Sequence, residues 1–91
     1  PFKIKLLTLS LIFEQLIGTI REESVLIYKS LLQINRSLVH GAFVLDDETD
    51  RLLFRDTLQV ENLDQNEVDG TLSALSLAMA EYGNTLLRIC K

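Results

Sequence analysis

Apolar and polar residues alternate from Phe2 to Phe13, where leucines at 7, 9 and 11 are separated by Thr8 and Ser10. That period of two, with no helix cap in sight, predicts a strand, followed by a connection over residues 14–18. A helix is expected from Thr19, because Thr19-Ile20-Arg21-Glu22 fits a capping box. Beyond it Ile20, Ser24, Ile27, Leu31, Ile34 and Leu38 recur at steps of four and three, and Val25, Tyr28 and Leu32 widen the stripe. Gly41 marks the break after this helix.

Two short runs rich in Val, Phe and Leu follow, His40 to Asp46 and Arg51 to Gln59, joined by the polar Asp47-Glu48-Thr49-Asp50. They read as a β-hairpin. Pairing Asp46 with Arg51 gathers Phe43, Leu45, Leu52 and Phe54 on one face, whereas a slip of one residue would mix arginines into it. The last element is a helix with Asp64 as N-cap, Glu67 three residues on, and Leu63 stapled onto Val68. Val68, Leu72, Leu75, Met79, Tyr82, Leu86 and Ile89 form its stripe, flanked by the small Ala74 and Ala78. Strand, helix, hairpin, helix gives an α+β fold: an antiparallel sheet packed against two amphipathic helices.

Composition narrows the function classes. The 91 residues are 47% hydrophobic and 24% charged, which suits one small folded domain rather than a disordered chain. A net charge of −4 and a pI near 4.8 speak against nucleic acid as a partner. The acids are concentrated: residues 46–69 hold nine of them against Arg51 and Arg55. No run approaches the roughly 20 apolar residues of a membrane-spanning helix. Cys90 is the single cysteine and cannot form an internal disulfide, so a cytoplasmic location is expected.

Candidate chemistry is sparse. His40, the single histidine, has no serine, cysteine or second histidine set beside it by sequence, so it reads as a surface or strand-end residue. Cys90 reads as an incidental thiol. Asp46, Asp47, Glu48 and Asp50 could attract a divalent cation, yet the loop lacks the central glycine and terminal glutamate of a calcium loop. Gly18, Gly41, Gly70 and Gly83 match no phosphate-cradling spacing. No enzyme, metal site or cofactor is expected.

The stretch Leu31-Leu32-Gln33-Ile34-Asn35-Arg36, continued by Val39-His40-Gly41-Ala42-Phe43-Val44-Leu45-Asp46, resembles the signature of YbjN-like proteins, bacterial members of the type III secretion chaperone-like fold. Arg51 to Leu58 is similar to that family's arginine-bearing second strand, and Leu63 to Leu87, with Ala80-Glu81-Tyr82, to its final helix. The resemblance covers about residues 19–89. It implies an α+β sandwich, usually dimeric, whose members bind protein segments or act as regulatory accessory proteins without catalysis. The family pattern sets a helix and two strands ahead of the strand expected over Phe2–Phe13, so residues 1–91 are expected to be a single domain without those leading elements. Of the residues in the signature, Asn35 is expected to hydrogen-bond nearby backbone. Gly41 allows a tight passage from helix to strand, and Phe43 is core.

The leading expectation is a chaperone-like or adaptor domain working by protein–protein contact, as a homodimer with a further protein or peptide partner. Its contact surface is placed on the hairpin face that carries Ala42, Val44 and Leu53, edged by Arg51 and Arg55, or on the edge of the first strand. The alternative is a small-ligand or ion-responsive regulatory domain using the acidic loop.

Overall fold

The computed structural model describes residues 2–7, 10–59 and 64–90. In chain order they form β1 (Phe2–Leu7), β2 (Ser10–Thr19), α1 (Val25–Ser37), β3 (Ala42–Leu45), β4 (Arg51–Gln59) and α2 (Gln65–Ile89). The strands make one antiparallel sheet in the order β1-β2-β4-β3. The α+β class expected from the sequence is borne out, with one strand more than expected.

The stretch read as a strand and a connection is a hairpin. β1 pairs with β2, and residues 14–18 continue β2 instead of leaving it. No glycine, proline, asparagine or aspartate marks a turn before Ser10, so the sequence gives no local sign of the reversal. Glu14 and Gln15 resemble loop residues only until their strand neighbours are known. Glu14 stands opposite Lys3 on one side and Arg55 on the other, a favourable cross-strand arrangement. A β-bulge between Leu16 and Gly18 shifts the register beyond it.

Thr19 does not cap a helix. It is the last residue of β2, and the chain stays extended through Ile20, whose amide donates to the Asp50 carbonyl at 2.8 Å and which bridges to Cys90. The amide of Arg21 donates to the Ile89 carbonyl at 2.9 Å. With these groups held by distant backbone, the helix begins only after Ser24, whose hydroxyl accepts from the Ile27 amide. Leu31 and Ile34 are buried, and Ile27 and Leu38 pack beside them. Val25 and Leu32 do not widen that stripe, being 82% and 70% exposed.

The second hairpin has the expected register. Phe43 pairs with Phe54 and Leu45 with Leu52, and the Asp46 amide donates to the Arg51 carbonyl at 3.0 Å. Phe43, Leu52 and Phe54 are buried, with the two rings edge to face at 5.8 Å, while Leu45 is 40% exposed at the end of the strand. Full burial of each such side chain contributes about 1.5–3 kcal/mol.

Asp64 caps α2 as expected, its carboxylate accepting from the Glu67 amide at 2.9 Å. Leu63, the proposed staple, lies outside the described residues. The buried face of α2 keeps Leu86 and Ile89 of the predicted stripe, with Leu75 and Tyr82 packed beside the core, and departs from it at Leu72 and Met79. Thr71, Ala78, Leu86 and Ile89 are buried, whereas Leu72 and Met79 are exposed. A pattern weighted by large apolar side chains points along Leu72 and Met79, yet the small Ala78 permits close approach to the sheet. The Thr71 hydroxyl donates to the Asp56 carboxylate at 2.8 Å, tying α2 to β4. A Cβ on Gly18 would lie 2.9 Å from that of Cys90, so a bare backbone is needed where β2 meets the end of α2.

Candidate protein-contact face

Both helices contribute to a core on one side of the sheet, with Phe13, Phe43, Leu52 and Phe54 as its strand residues. Alternation puts the intervening residues on the other face. There Leu16, Leu53 and Val44 form one cross-strand row, and Lys3, Glu14, Arg55 and Ala42 form another. Arg51 and Thr19 pair beyond the leucine row. Ala42, Val44 and Leu53 are half-buried by their neighbours; Arg51 and Arg55 are exposed. The structure therefore brings the five expected contact residues onto one face. Leu16, 48% exposed, extends the apolar row and was missed because its segment reads as a connection.

The face carries both signs of charge. Arg55 Nε lies 3.8 Å from Glu14 Oε2, a solvent-screened pair that contributes little to stability. Lys3, Glu14, Leu16, Asp46, Arg51 and Leu53 line a shallow depression of about 400 Å³ together with Gln15. An apolar centre inside mixed charge is suited to contact with another protein surface.

Asn35, Gly41 and Phe43 are elsewhere. Asn35 Oδ1 accepts from the Phe43 amide at 2.7 Å, and its Nδ2 donates to the Phe43 carbonyl at 3.0 Å. One side chain thus holds both backbone groups of a residue in the sheet-edge strand β3, which occupies them against pairing with another chain. Gly41 has φ +74°, and a Cβ there would fall 2.4 Å from the Phe54 ring. Phe43 is core.

The remaining candidates assemble no reactive centre. His40 is exposed between α1 and β3. Cys90 is buried; desolvation pushes its thiol pKa up, and Arg21 partly opposes this. The Tyr28 phenol is also raised, by desolvation first and then by Glu23 and Asp50. In the acidic loop Asp46 Oδ1 accepts from the Glu48 amide and Thr49 Oγ1 from the Arg51 amide, so these side chains shape the turn. Among the described residues no group of three or more His, Cys, Asp or Glu is placed to hold a metal ion.

A comparison with protein families matches residues 4–91 to the type III secretion chaperone-like family CesT_Tir_1. The chain belongs to this family. Among solved structures, the CesT_Tir_1 chain is similar to YbjN from E. coli, named there as a candidate transcription regulator, with a TM-score of 0.70 and 22% identity over 92% of this chain and 68% of that one. A search of curated proteins finds no match. The YbjN-like fold of the secretion chaperones is therefore the fold of this CesT_Tir_1 member. No helix among the described residues is long and apolar enough to cross a membrane.

Proposed function

We propose that this CesT_Tir_1 member is a non-catalytic, chaperone-like adaptor of the cytoplasm, a single domain that works as a homodimer, pairs through its open sheet face, and serves a regulatory or stress-related process. The observation that carries the reading is the Leu16–Leu53–Val44 row, which lies outside the helix-packed core and which charges of both signs surround. A two-fold interface is self-complementary, so each patch meets its own copy. Lys3 and Arg51 of one copy can face Glu14 and Asp46 of the other around the leucines. Membership of a chaperone-like family supports a protein as partner rather than a substrate to be transformed.

Light scattering on a sizing column tests this by comparing the wild type with Leu53→Asp. A carboxylate left unpaired in a buried contact costs about 3–5 kcal/mol, which corresponds to a weakening of more than about a hundredfold. The wild type is expected at the mass of two chains and the variant at one. A wild-type mass of one chain at tens of micromolar, about the range in which a weak specific dimer forms, refutes the dimer. A dimer untouched by Leu53→Asp refutes this face and leaves the β1 edge as its site.

A further inference from the structure

We draw no further inference here: the strongest candidate, the apolar groove that Leu16 and Ile17 of β2 form with Leu75 and Met79 of α2 and that continues past Met79 to Arg21 and Cys90, is an unpartnered face, and nothing in the structure shows what covers it.

Discussion

Replacing Asn35 removes the only side chain that reaches both backbone groups of Phe43 among the described hydrogen bonds. Two neutral hydrogen bonds of 2.7 and 3.0 Å contribute about 0.5–1.5 kcal/mol each, net of water. Alanine returns about 0.5 kcal/mol through its better helix propensity. Asn35→Ala should therefore cost about 1–2 kcal/mol, out of the 5–15 kcal/mol or so expected of a small domain, and lower Tm by roughly 4–8 °C per kcal/mol. Urea unfolding followed by far-UV circular dichroism reads the loss directly. Asn35→Asp sharpens the test because it keeps the shape and the acceptor for the Phe43 amide. At pH 7 it sets a carboxylate oxygen against the Phe43 carbonyl, so it should cost at least as much as alanine. That repulsion disfavours the charged form and raises the folded-state pKa above its unfolded value. Stability relative to wild type should then recover as pH falls through the carboxylate range, about 4, where the protonated group regains a donor. A loss below about 0.5 kcal/mol in Asn35→Ala, or a pH-independent Asn35→Asp, would refute the clamp.

Gly41→Ala combines a left-handed backbone, costing about 1–2 kcal/mol, with a collision against the fully buried Phe54 ring. It should destabilise by about 2–5 kcal/mol, measured by the same urea titration, whereas Gly83→Ala meets nothing within 4 Å and should stabilise by up to about 1 kcal/mol. The phase of α2 is tested by Ala78→Leu, which overfills a buried site at about 1–3 kcal/mol, against Leu77→Ala, which should stay within about 0.5 kcal/mol; equal effects would refute the phase. Because the Cys90 thiol pKa is raised by folding, stability should decline as pH rises beyond the ordinary thiol value, about 8.5, and Cys90→Ser should flatten that decline. Millimolar calcium should leave Tm within about 1 °C of the metal-free value, and a clear increase would favour the ion-responsive alternative.

The second hairpin and the start of α2 were legible because their signals are local. Opposed runs of Phe and Leu admit one register without burying arginine, and Asp64 with Glu67 marks a cap that the structure keeps. Residues 14–20 were misread for the opposite reason. What keeps Glu14 and Thr19 in a strand is pairing with Arg55 and Arg51 of β4, more than thirty residues later in the chain, and the backbone bonds of Ile20 and Arg21 to Asp50 and Ile89. A capping box cannot compete with those contacts, and nothing local reveals them. The same long-range pairing hid Leu16 from the contact face, although Ala42, Val44, Leu53 and the two arginines were visible from hairpin alternation. Asn35 was recognisable as a backbone partner, but that its partner would be Phe43, eight residues away in β3, depends on how α1 lies along the sheet edge.

Dimerisation through the open sheet face is the central claim, and methyl NMR of the wild-type chain across a dilution series tests it most directly. As the population moves from two chains to one, the methyl signals of Leu16, Val44 and Leu53 should shift together. Those of Leu31 and Leu86 in the core, and of Leu32 and Leu77 on the helical side, should stay in place. Shifts confined to the helical-side leucines, with the sheet-face methyls unmoved, would contradict the account.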